Sequence, residues 1–93
     1  MVTAIVLVNT ERGWVNEVAQ ELAAMGAISE VYSVGGRFDL VAMIRAASNE
    51  ELADLVTNHL QHLQGIRDTE TLIAFRAYSR HDLETMFSIG LDQ

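Results

Sequence analysis

The residues able to do chemistry are few and widely spaced. His59 and His62 stand three apart, a spacing that can turn two imidazoles toward one metal ion. Such a site needs a third ligand, and His81 and Asp82 lie far along the chain. The more ordinary place for this pair is beside a helix stripe, in water. No metal and no other cofactor is expected. Ser29, Ser33, Ser79 and Ser88 lack a nucleophile-elbow context. The acids, Glu50-Glu51 among them, show no spacing suited to paired acid–base work, and at a helix start they are stabilised by the dipole. Gly35-Gly36 opens no helix and so makes no phosphate loop. No catalytic residue is expected, and the chain reads as a non-enzyme.

Asp39 carries more information. It stands at the head of an apolar run, Phe38-Asp-Leu-Val-Ala-Met-Ile44, directly after the glycines. A carboxylate entering a buried strand needs a partner. It either closes a turn by accepting backbone N–H groups or accepts the ammonium group of a ligand. Thr69 and Thr71, two apart, are ordinary strand formers. The same pair could present two hydroxyls on one face to a polar ligand.

These side chains must be positioned by regular elements. Thr3 to Val8 is apolar and β-branched, as in a buried strand. Trp14, Val18, Leu22 and Met25 recur at helical spacing, and Gly26 follows as a stop. Ile28–Val34 and Phe38–Ala46 read as two strands around Gly35-Gly36, a tight-hairpin signal. Ser48 and Glu51 form a capping box ahead of a stripe of Leu52, Leu55, Val56, Leu60 and Leu63, which Gly65 closes. Thr69 to Tyr78 reads as the last strand. Leu83, Met86 and Phe87 form the apolar side of a short tail.

The expected fold is therefore α+β: a ferredoxin-like βαββαβ sandwich over residues 1–93, with a four-stranded antiparallel sheet and two helices on one face. The 93 residues suit one domain. With 13 acidic and 6 basic residues the net charge is −7. All six basic residues are single arginines, so no direct nucleic-acid surface is expected. Arg45 and Arg76 fall near strand ends, where ion pairing is the plainest role. The absence of cysteine excludes disulfides and Cys-based zinc sites. No apolar run approaches the roughly 20 residues of a membrane helix, and no signal-peptide pattern leads the chain. A cytoplasmic location is the default expectation.

Two helices cover one sheet face only, and the other should turn polar. Here Ile5 and Leu7, Val41 and Met43, and residues 72–75 leave both faces of three strands apolar. Exposed apolar area of that extent marks an interaction surface. A homodimer through the open face is expected, of the dimeric α+β barrel type. The competing reading folds the tail over that face.

Gly36-Arg-Phe-Asp39 followed by an apolar strand resembles the effector-binding (RAM) domain of the Lrp/AsnC, or feast/famine, transcriptional regulators. Gly65-Ile66 and Thr69-Glu-Thr71 are similar to the same family's pattern, on the same element order. The resemblance implies an amino-acid or similar small-effector binding module that dimerises through its sheets and assembles into octamers or other rings. It implies that Asp39 holds an ammonium group, Gly36 lets backbone approach the ligand, and Phe38 shapes the pocket. Thr69 and Thr71 would add polar contacts. Beginning at the first strand, the chain resembles stand-alone members without the helix-turn-helix domain. They would act on transcription by co-assembly with full-length regulators. The alternatives are a small dimeric ferredoxin-like enzyme, of the monooxygenase or isomerase type, and a purely structural subunit.

Overall fold

The computed structural model describes residues 1–78 and residue 80. The tail residues Leu83, Met86 and Phe87, with Ser79, His81, Asp82 and Ser88, lie outside the described residues. Strand β1 (Val2–Thr10) leads to helix α1 (Val15–Ala23), then to strands β2 (Ile28–Ser33) and β3 (Leu40–Ala46). Helix α2 (Asn49–Asp54) and strand β4 (Ile66–Ile73) follow. All pairings are antiparallel, in the order β2-β3-β1-β4. This is the expected ferredoxin-like α+β fold.

Period-two alternation sorts the strands. Ala4, Val6 and Val8 of β1 and Leu40, Ala42, Ile44 and Ala46 of β3 are buried against Val18 and Leu22 of α1 and Leu52 of α2. Each fully buried leucine contributes about 1.5–3 kcal/mol relative to exposure. Trp14 packs at the edge of this core, over Gly65.

Several boundaries differ from the sequence reading. The first strand, read as Thr3 to Val8 with Asn9 and Thr10 as turn and capping residues, runs on through Thr10, because both residues pair with β4. The last strand spans Ile66–Ile73, not Thr69–Tyr78. Gly65, at φ +96°, turns the chain directly into it. Its partner β1 begins at Val2, so the final bond is Ala74 N–H to the Thr3 carbonyl, 2.9 Å. Among the described residues Phe75 has no strand to pair with and is fully exposed.

The glycine hairpin is also looser than expected. Six residues, 34–39, join β2 to β3, closed by Val34 N–H to the Asp39 carbonyl at 3.0 Å, and only Gly36 of the two glycines has positive φ (+120°).

The first helix is Val15–Ala23, shorter than its apolar stripe from Trp14 to Met25. The second helix is not uniform. Beyond α2 it widens into a π turn, Leu55–His59, and tightens into a 3₁₀ turn, Leu60–His62. Leu60 N–H donates to the Leu55 carbonyl, so these two leucines lie one wide turn apart, both buried. Val56 and Leu63, placed in the same stripe by a strict α period, are only half-buried. The Thr57 hydroxyl donates to the Ala53 carbonyl at 2.6 Å, the acceptor its own N–H would use in an α-helix.

The capping box forms with a shift of one. Glu51 N–H donates to Ser48 Oγ at 3.2 Å, but the Glu51 carboxylate accepts from Ala47 N–H, at 2.9 Å, and not from Ser48. Arg45 and Arg76 make no ion pair among the described residues; the pairs found are Arg67 with Asp68 and His59 with Asp54.

Candidate functional site

The Asp39 carboxylate sits where the β1–β3 ladder ends. Val8 is the last β1 residue with a partner in β3, which begins at Leu40. Thr10, two residues on, points its N–H to the same side but meets no β3 backbone. Asp39 Oδ2 takes that place, accepting from Thr10 N–H at 2.9 Å and from Thr10 Oγ1 at 3.2 Å. Asp39 N–H in turn donates to the Val8 carbonyl, 2.9 Å. The carboxylate therefore closes a corner between two strands. It bonds across the sheet and not within its own loop. Asp39 Oδ1 accepts no hydrogen bond among the described residues.

Thr10 is the residue that sequence reasoning missed. It is the buried polar residue of the described core, 5% exposed. The signal was present: Ala4, Val6, Val8 and Thr10 share one face, and only the last is polar.

Gly36 and Phe38 belong to the same loop, Phe38 half-buried and Gly36 exposed. Thr69 and Thr71 do share a face, as expected. They pair with Val8 and Val6 and so lie on the helix side of β4. They do not meet Asp39. The row Leu40–Val8–Thr69 crosses three strands, which puts the backbone beside Asp39 two strand spacings, roughly 10 Å, from that of Thr69. Thr71 lies further down the strand. It lines a groove of about 670 Å³ between β4 and α2, with Leu52, Ala53, Val56, Ile73 and Phe75. Among the described residues no ionisable side chain lines this groove.

The histidines are placed on the wet side of the second helix. His59, whose side chain is 57% exposed, holds Nε2 at 3.6 Å from Asp54 Oδ2. His62 is exposed as well. Among the described residues no three His, Cys, Asp or Glu side chains converge on one point.

The open sheet face is continuous. Ile5 and Leu7 of β1 stand beside Met43 and Val41 of β3, and Leu72 of β4 pairs with Ile5. Glu30 and Tyr32 border this stripe on β2, and Glu70 on β4. Tyr32 Oη donates to Glu30 Oε2 at 2.5 Å. That hydrogen bond, with slight desolvation and the Glu30 charge, pushes the phenol above its ordinary value of 10.0.

Residues 3–83 match the family pattern of the Lrp/AsnC ligand binding domain. The chain belongs to the Lrp/AsnC family. The solved structure of TTHA0845 from Thermus thermophilus is 45% identical, with a TM-score of 0.81, over 86% of this chain and 100% of that one. The HTH-type transcriptional regulator FL11 of Pyrococcus horikoshii is 33% identical over 75 residues, 81% of this chain. The matches cover between 39% and 50% of the length of the curated regulators, 49% in the case of FL11. A Neisseria meningitidis transcriptional regulator solved as its L-Met complex shares the fold, at a TM-score of 0.77 and 12% identity, over 85% of this chain and 53% of that one. The Lrp/AsnC relatives matched by sequence are transcription regulators, and no helix of the described residues is long and apolar enough to cross a membrane.

Proposed function

We propose that this Lrp/AsnC domain is a cytoplasmic amino-acid-responsive assembly module, not an enzyme. In this reading it modulates transcription by co-assembling with full-length regulators and not by binding DNA. The observation that carries the ligand half is the Asp39 carboxylate: Thr10 pins one oxygen, while the other accepts nothing from the described residues. A fixed carboxylate with a free oxygen is preorganised for an ammonium group. Gly36 and Phe38 form the loop around it, and Thr69 and Thr71 supply hydroxyls. The L-Met complex of the Neisseria regulator, a protein of the same fold, is in keeping with an amino acid as ligand.

In this reading Asp39 and the threonines, which stand two strands apart within one protomer, meet the ligand where protomers come together, and ligand binding reports on assembly. The apolar open face supplies the first contact, a homodimer through the sheets, with an octamer or other ring built from it. The net charge of −7 disfavours phosphate contacts.

Calorimetry against the twenty amino acids tests the ligand half. Asp39→Asn is the informative variant, because it removes the charge and keeps an acceptor for Thr10. At least one amino acid should bind, and the variant should weaken it by about 10- to 100-fold, the loss of one charged hydrogen bond. No binding by any, or equal binding by the variant, would end the site assignment.

A further inference from the structure

The end of β1 is gripped from both sides. Successive N–H groups of a strand point to opposite edges. Thr10 N–H turns to the β3 side, where Asp39 Oδ2 accepts it at 2.9 Å. Glu11 N–H turns to the β4 side and donates to the Gly65 carbonyl at 2.6 Å. Between the two grips the ladder slips. Asn9 pairs with Asp68 but Thr10 with Ile66, and Arg67 is passed over. Pairing is locally disrupted at such a bulge, so the two strands are tied less firmly there than elsewhere.

Gly65 carries the contact onward. It stands between the 3₁₀ turn and β4, and no side chain would fit between it and the Trp14 ring or Val18. Trp14 is tied back to the same loop, its N–H donating to the Glu11 carbonyl at 3.0 Å. Asp39, Thr10, Glu11, Gly65 and Trp14 thus form one unbroken chain of contacts, from the head of β3 across the end of β1 to the head of β4.

We propose that this chain of contacts is a relay that regulates the Asp39 site: neutralising the carboxylate is felt at Gly65 and read by Trp14. The physical step is a change in one hydrogen bond. A charged acceptor holds an N–H about twice as strongly as a neutral one. An ammonium group on Oδ1 draws negative charge away from Oδ2, which loosens its hold on Thr10. Thr10 then shifts at the bulge, and Glu11 carries the displacement to the Gly65 carbonyl and the head of β4. By linkage, the packing at Gly65 sets the affinity at Asp39 in the same measure. The relay rests on the ligand reading above for the source of the positive charge, and two of the three arms of its test need no ligand.

Asp39→Asn removes the charge, keeps the acceptor and so imitates the occupied carboxylate. It should shift the emission of Trp14, the single tryptophan of the chain. Glu11→Pro removes the N–H that reaches Gly65, and a residue before proline favours the extended backbone that Thr10 already has. In that background Asp39→Asn should leave the emission unchanged. No shift in the first case, or an equal shift in both, overturns the relay. Urea unfolding of Asp39→Asn, Gly65→Ala and the double variant is the second arm. The two residues lie on opposite sides of β1, and independent sites add. The unfolding constant of the double variant should instead depart from the product of the single effects by at least about twofold. Additive effects overturn the proposal. Should Gly65→Ala not fold, Glu11→Pro takes its place in this comparison. In the third arm each of the twenty amino acids is added to the wild type, with calorimetry alongside. One that binds should move the emission in the direction that Asp39→Asn does. Binding without that movement overturns the relay. Binding by none ends the ligand reading, and the relay then stands or falls on the first two arms.

Discussion

Asp39 does two jobs that one substitution can separate. It stands in for a missing strand residue opposite Thr10, and its other oxygen accepts nothing among the described residues. Asp39→Ala leaves the buried Thr10 N–H and hydroxyl without their acceptor, which should cost about 1–3 kcal/mol in urea unfolding. Asp39→Asn should cost clearly less. Equal losses would show that the charge, and not the acceptor, holds the corner. The two readings left open for this residue, turn closure and ligand acceptor, are thus not exclusive. Gly65 makes a sharper residue-scale case. At φ +96° a Cβ there would stand 2.7 Å from the Trp14 ring and 2.9 Å from Val18. Gly65→Ala should destabilise by on the order of 1–3 kcal/mol and shift Trp14 fluorescence. An unshifted emission would mean that Trp14 does not rest on this glycine. On the open face, the Tyr32 phenol is held protonated chiefly by its bond to Glu30. A raised folded-state value means that its contribution is complete below pH 10 and is lost as pH rises through the raised value. Ultraviolet titration should place Tyr32 above the ordinary tyrosine value, and Glu30→Gln should lower it.

At the scale of elements, local chemistry was well legible where one residue dictates the geometry. Ser48 caps α2 as its spacing requires, and Ser48→Ala should cost about 1 kcal/mol, read from the thermal midpoint. Periodicity was less reliable where a neighbour decides. The length of β4 depends on where β1 begins, which no pattern inside residues 69–78 reveals. The π turn at Leu55–His59 shifts Val56 and Leu63 from the centre of the apolar stripe to its margin, because the chain trades α geometry for burial of both Leu55 and Leu60. The candidate site follows the same division. The loop of Gly36, Phe38 and Asp39 could be read locally, as could the shared face of Thr69 and Thr71. Their separation, and the Thr10 partner 29 residues away from Asp39, could not.

For the whole molecule the governing feature is the face that the helices leave bare. Ile5, Leu7, Val41 and Met43 occupy its centre. A lysine at Ile5 should add a charge that is solvated in the free chain and desolvated in a sheet-to-sheet dimer. Light scattering at micromolar concentration should then show a smaller particle than the wild type, with the far-ultraviolet spectrum unchanged. A wild-type monomer at that concentration would remove the sheet-face dimer.

By itself the sequence determined the order of elements, the side of each strand that faces the core, the cap of α2 and the family's two short motifs. These depend on spacing within a few residues, where covalent geometry links pattern to direction. Tertiary structure alone decided that Asp39 answers Thr10, that Asp39 and the threonines stand apart, and that β4 ends at Ile73. Each of these is a contact between segments tens of residues apart. The register of the sheet sets them, and no local pattern encodes it.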